Sequence, residues 1–162
     1  MRHLPIVTLL VVYFLCRLLF QQLPWLKSVF IYPTGMIVKA FYGSGKYMGA
    51  EWTYFLGNTQ FTLGETCSGT TFFSLLFSYL VYKTLSCKTP VTWLLLVYPV
   101  VLLVNTMRVL SSIQVHIYLT GTQALAYSDY VHVMTGTTTF LSCFLLIAYF
   151  IEKSREGASN ER

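Results

Sequence analysis

Gly64-Glu65-Thr66-Cys67-Ser68-Gly69-Thr70-Thr71 joins a polar, glycine-rich segment to a long apolar run. A lone cysteine stands at that junction. Two later apolar runs each carry one ionisable residue near an end, Arg108 in the third and His132 in the fourth. Outward from Cys67, apolar runs alternate with polar segments along the whole chain. That alternation sets the fold class.

Of the 162 residues, 55% are hydrophobic and only 10% are charged. The mean hydropathy is +0.60. A soluble domain carries about a quarter charged residues, so this composition predicts a lipid environment. The length suits one domain. The net charge of +5 is scattered and forms no basic block, which argues against a nucleic-acid partner. Cys16 and Cys143 fall inside apolar runs, and Cys87 lies in a loop with Lys83 and Lys88. There is no CxxC and no Cys/His cluster, so neither a zinc site nor a redox pair is expected. No metal and no organic cofactor is called for.

In chain order, residues 4–20 read as a first transmembrane helix. Arg2 holds its N-terminus in the cytoplasm, and no small-residue cleavage site follows. Residues 23–42 are interrupted by Pro24, Lys27, Pro33, Gly35 and Lys39. They read as a helix lying in the outer interface, with a re-entrant or tilted spanning helix as the competing reading. Trp52 to Leu56 and Thr59 to Leu63 flank Gly57-Asn58 and predict a β-hairpin. An open hairpin cannot sit bare in hydrocarbon, so it is placed outside the bilayer. Residues 68–85, 91–109 and 132–151 give three more spans, and the charged tail from Glu152 is expected to be mobile.

The expected fold is therefore mainly α and polytopic. It has about four transmembrane helices, an interfacial helix and a short extracytoplasmic β-hairpin, in one integral membrane domain. Residues 1–22 form the first span, 23–66 the extracytoplasmic segment, 67–151 a three-span core and 152–162 a cytoplasmic tail. Lys83, Lys88, Lys153 and Arg155 then fall inside, and Lys27, Lys39, Lys46 and Arg108 outside. Cys67 begins the second span, Arg108 ends the third and His132 begins the fourth. Antiparallel succession brings all three to one membrane face.

Each of these residues has a chemical and a structural reading. Cys67 in the first turn of a helix would have its thiolate favoured by orphan amides and the helix dipole. It also reads as a small apolar cysteine at a helix end. Ser68 and Gly69 give a polar, close-packed approach, with room at Gly69 for a substrate backbone. Arg108 shares a helix face with Asn105, three residues earlier. It reads as a stabiliser of a thiolate or oxyanion, or as an arginine snorkelling to the interface. His132 could move a proton near neutral pH, with Asp129 to orient it. An interfacial histidine satisfied by a neighbour is the alternative. Glu51, Glu65, Tyr127 and the threonines at 135–139 are weaker candidates.

Taken together, Cys67-Ser68-Gly69, then Asn105-Thr106-Met107-Arg108, then His132 on successive helices resemble the exosortase/archaeosortase family. The pattern there is Cys-Ser-Gly, Asn-x-x-Arg and His in that order. The resemblance covers roughly residues 64–151 and is closest to the short exosortase K type. It implies a membrane-embedded cysteine protease or transpeptidase in the bacterial inner membrane, its site facing the extracytoplasmic side. The implied substrates are exported proteins ending in a short sorting motif of the PEP-CTERM kind, a transmembrane helix and a basic cluster. By the motif, Cys67 would be the nucleophile, Arg108 the electrostatic stabiliser and His132 the general acid/base, through a thioester intermediate. Many family members are larger, which leaves open how a chain this short docks its substrate. A non-catalytic membrane scaffold, or a subunit of a surface-polymer export system, is the alternative function.

Overall fold

The computed structural model describes residues 4–56, 59–87, 90–119 and 128–160. Helix α1, Leu4–Gln22, is mostly apolar and carries a single charged residue, Arg17. It stops at Leu23, whose backbone N–H still donates to Leu19 O, because the residue before a proline is pushed out of helical geometry. Pro24 then starts α2, Trp25–Tyr42, at 86° to α1. The segment expected to lie at the interface is thus a regular helix, even with Pro33 inside it. One face, Phe30, Ile31, Thr34, Gly35 and Val38, is buried. Gly43 ends it in the left-handed region, φ 75°, and its N–H caps Lys39 O at 2.8 Å.

A three-stranded antiparallel sheet follows in the order β1 (Lys46–Met48), β2 (Glu51–Leu56), β3 (Thr59–Leu63). The β2–β3 hairpin has the expected strands, with Trp52 opposite Leu63 and Tyr54 opposite Phe61. The two turn residues, 57–58, lie outside the described residues. The third strand, β1, was not expected, since three residues among glycines show no alternation. Trp52 and Tyr54, two residues apart, share the buried face. The Trp52 indole lies over Gly35 of α2, where an added Cβ would sit 2.2 Å from the ring. The Tyr54 hydroxyl donates to Gly35 O at 2.7 Å. Burial pushes the Tyr54 phenol up, beyond the usual tyrosine range, so it stays a donor.

Three further helices complete the described fold: α3 (Thr70–Cys87), α4 (Thr92–Leu119) and α5 (Ser128–Asn160). The third apolar run was expected to end near residue 109, but α4 runs on to Leu119. Its extension is held by the sheet side of the molecule. Val109 and Ile113 pack with Ile31, Trp52 and Tyr54, and Gln114 Nε2 donates to the Tyr42 hydroxyl at 2.9 Å. The inner half of α4 builds a separate core, where Val97, Val101 and Val104 meet Phe30, Phe72 and Leu76. The tail expected to be mobile instead continues α5 to Asn160. Lys83 of α3 and Glu152 of α5 pair where that continuation begins.

Helix α4 and residues 133–153 of α5 are long and apolar enough to cross a membrane; α1 and α2 together would make a third such unit, bent at their junction. Helix α3, expected as a span, is not among them. It has 18 residues and carries Thr70, Thr71, Ser74, Ser78 and Lys83. Ser74 and Ser78 return their hydroxyls to carbonyls of the preceding turn. Large apolar side chains such as Phe14, Leu18, Leu145 and Phe150 lie exposed on α1 and α5, a surface suited to lipid and not to water.

Gly35→Ala should detach Trp52 from α2, because the new Cβ would overlap the ring. The expected loss is about 1–3 kcal/mol, measured by denaturant unfolding of the purified protein, with Trp52→Ala in the same chain recovering part of it.

Candidate functional site

Cys67 closes a single 3-10 turn, Glu65–Cys67, whose N–H donates to Gly64 O at 3.0 Å. It does not lie in the first turn of α3, as the sequence suggested. Gly69 intervenes with φ 72° and caps α3 through its carbonyl, which accepts from Phe73 N at 2.9 Å. A left-handed residue there reverses the chain, and glycine takes that conformation without cost. The Ser68 hydroxyl is buried and spends itself locally, 3.0 Å from Thr70 Oγ1. Among the described contacts, the cation beside Cys67 comes from α4.

Two residues of α4 reach the turn. Asn105 is fully buried, and its Nδ2 donates to Cys67 O at 2.8 Å and faces Thr34 Oγ1 of α2 at 3.5 Å. The space freed by Gly69 belongs to this amide: an added Cβ would sit 2.9 Å from Asn105 Cγ. That corrects the expectation of room for a substrate backbone. One turn on, Arg108 is 5% exposed and so is no snorkelling arginine. Its Nη2 lies 3.9 Å from Cys67 Sγ and its Nη1 donates to Asn105 Oδ1 at 3.4 Å. Arg108 also sits mid-helix and not at the end of α4, since α4 continues past it.

Helix α5 covers the other side of the guanidinium. Phe140 presents its ring 5.1 Å from Arg108 Cζ, a cation–π contact. Gly136 lets the two helices touch: its missing Cβ would lie 3.0 Å from Arg108 Nε. Residue 132 is one helical turn before Gly136, so 132, 136 and 140 share a face. The side chains of His132 and Asp129 lie outside the described residues, as does Tyr127. The sequence did not point to Thr34, Thr66 or Phe140. Thr66 Oγ1 is 3.9 Å from Cys67 Sγ. The only sequence signal for Phe140 is its spacing of two turns from His132.

A cavity of about 400 Å³ opens beside the turn, lined by Arg17, Lys27, Thr66, Ser68, Gly69 and Arg108 among others. Cys67 is not among its described lining residues, and is 8% exposed. Arg108 thus faces both the thiol and the cavity. Glu65 pairs with Lys27 at 2.6 Å, tying the turn to α2. Glu51 lies against Gly64, at the edge of the turn. Among the described residues, no group of three or more His, Cys, Asp or Glu could hold a metal ion. Compared with family models, curated proteins and solved structures, the chain matches none.

Asn105→Ala should leave the Cys67 carbonyl buried without its donor and free the arginine. The expected cost is about 1–3 kcal/mol of stability, together with faster alkylation of Cys67 by a thiol reagent in a chain whose other cysteines are alanine. Unchanged stability and alkylation would mean that Asn105 does not hold the turn.

Proposed function

We propose that the protein is a membrane-embedded cysteine peptidase or transpeptidase of the exosortase type, acting on a C-terminal sorting signal of exported proteins. The observation that carries this reading is the buried pairing of Arg108 Nη2 with Cys67 Sγ at 3.9 Å. It is supported by the α5 face that holds residue 132 and packs on Arg108 at Gly136. A guanidinium beside the sulfur is placed to stabilise negative charge that develops as the substrate carbonyl is attacked.

In the reaction, His132 takes the Cys67 proton as Sγ attacks the substrate carbonyl carbon, and the π electrons move to oxygen. Arg108 stabilises that oxyanion. The tetrahedral intermediate collapses, the C–N bond breaks, and the imidazolium of His132 gives its proton to the leaving amine. A thioester remains. Water or an amine then attacks it, His132 takes the proton, and the C–S bond breaks, the leaving sulfur recovering that proton from His132 to restore the thiol. Water makes the enzyme a protease, and an amine makes it a transferase.

A second reading is a non-catalytic membrane scaffold, or a subunit of a surface-polymer export system. It draws on the burial of Cys67 and on its absence from the described lining of the cavity. The two readings part on one experiment. Candidate substrates are exported proteins from the same genome that end in a short motif, an apolar helix and a basic cluster. Their processing is followed in cells carrying each variant at equal membrane levels. Cys67→Ala, Cys67→Ser and His132→Ala should abolish processing, and Arg108→Ala should slow it about 100- to 1000-fold. Full processing by Cys67→Ala, with no other source of activity, would refute the enzyme, and full function in Cys67→Ser would favour the scaffold.

A further inference from the structure

The cavity beside the Cys67 turn carries charge that the proposed chemistry does not use. Among its described lining residues are three cationic side chains, Arg17, Lys27 and Arg108, and one carboxylate, Glu65. Glu65 is committed to Lys27, and Arg108 is engaged with Cys67 and Asn105. Of the other carboxylates with described side chains, Glu152 pairs with Lys83 and Glu51 lies over Gly64. Arg17 has no acidic partner among the described residues. It donates from Nη1 to Thr71 Oγ1 at 2.9 Å, across to the first turn of α3.

Among the described residues, no carboxylate balances Arg17 at that wall. Arg17 is the only charged residue on α1, and its neighbours Leu18 and Leu19 face outward, about half exposed. A guanidinium offers five N–H donors in a planar fork. One arm of the fork here reaches Thr71 at the cavity wall.

We propose that this cavity is a binding site for a phosphate group, held by Arg17 with Thr71 and Gln21 where α1, α2 and α3 meet. Guanidinium and phosphate match as a bidentate pair, and the hydroxyl and amide supply further donors. Two sources offer this chemistry, the headgroup of an anionic phospholipid and free inorganic phosphate. Basic pockets between membrane helices take lipid headgroups. Here Phe20 and Phe140 line the same cavity, and the exposed Phe14, Leu15 and Leu18 of α1 offer acyl chains a surface. A phosphate in this position also joins α1 to the start of α3. The inference does not depend on the peptidase chemistry.

The test reads binding and not processing, so it stands apart from that chemistry. The full chain in neutral detergent is titrated separately with dioleoyl-phosphatidylglycerol, with dioleoylglycerol, which lacks the phosphate, and with inorganic phosphate. Bound species are counted by native mass spectrometry. The wild type should hold a single phosphate-bearing adduct and no dioleoylglycerol. Arg17→Gln should weaken that adduct about tenfold or more, with Arg17→Lys between the two. Stronger binding of phosphatidylglycerol identifies the lipid, and stronger binding of the ion identifies free phosphate. Thr71→Val, which keeps the shape of the wall, should cause a smaller loss of the same adduct and reports even where Arg17→Gln does not fold. Equal binding by wild type and variants, or phosphatidylglycerol held no better than dioleoylglycerol with no phosphate bound, overturns the proposal.

Discussion

The buried guanidinium of Arg108 is the constraint around which this fold is arranged. Taking such a charge out of water costs several kcal/mol even after relaxation, and only partners on several sides offset it. Each neighbouring element supplies one. Asn105 gives a carbonyl oxygen from the same helix, Cys67 a polarisable sulfur from the turn before α3, and Phe140 a π face from α5. Gly136 gives no side chain, and that lets α5 close over the arginine. Helix α4 accordingly packs on α2, α3 and α5. It is also the more buried of the two long apolar helices, at 39% of its most apolar stretch against 11% for α5.

The position of Cys67 is transmitted to it through packing that begins some distance away. Trp52 and Tyr54 seat the sheet on Gly35 of α2. The same helix turns Thr34 toward Asn105, and β3 leads through Gly64 into the 3-10 turn. Asn105 then fixes the Cys67 carbonyl in the space that Gly69 leaves open. The sheet thus acts as a rigid cover that holds one end of the turn while α4 holds the other. The two apolar cores meet along α4, one built on Val97 to Val104 and one on Val109 and Ile113. The site lies at their seam.

A thiol at a seam is screened from water, which strengthens its interaction with a nearby cation. Screening also limits approach. The cavity is bounded by the residues on both sides of Cys67 and by Arg108, so the arginine is the group common to the thiol and to the space a ligand can enter. That shared position suits a residue stabilising charge on an atom that has come in from the cavity. It also separates two cationic roles. Arg108 is bound into the turn, while Arg17 stands at the wall without a described carboxylate.

The sequence by itself determined the mainly helical build, the pairing of β2 with β3, and the meeting of Cys67 with Arg108. Apolar runs of helical length, alternation around Gly57-Asn58 and the antiparallel return of consecutive helices are local or topological signals, and they suffice for those features. Asn105 and Arg108 on one helix face followed from a spacing of three residues. The tertiary structure decided the rest. Strand β1 exists because β2 offers it an edge, and α4 continues to Leu119 because Val109, Ile113 and Gln114 find partners on the sheet side. Residues 25–42 form a helix with a buried face because the sheet and α4 cover it. Cys67 lies off the helix, and Gly69 makes room for Asn105 in place of a substrate. These outcomes depend on contacts between residues far apart in the chain, where burial of a polar group or removal of a single Cβ sets the geometry. No periodicity in the sequence carries that information.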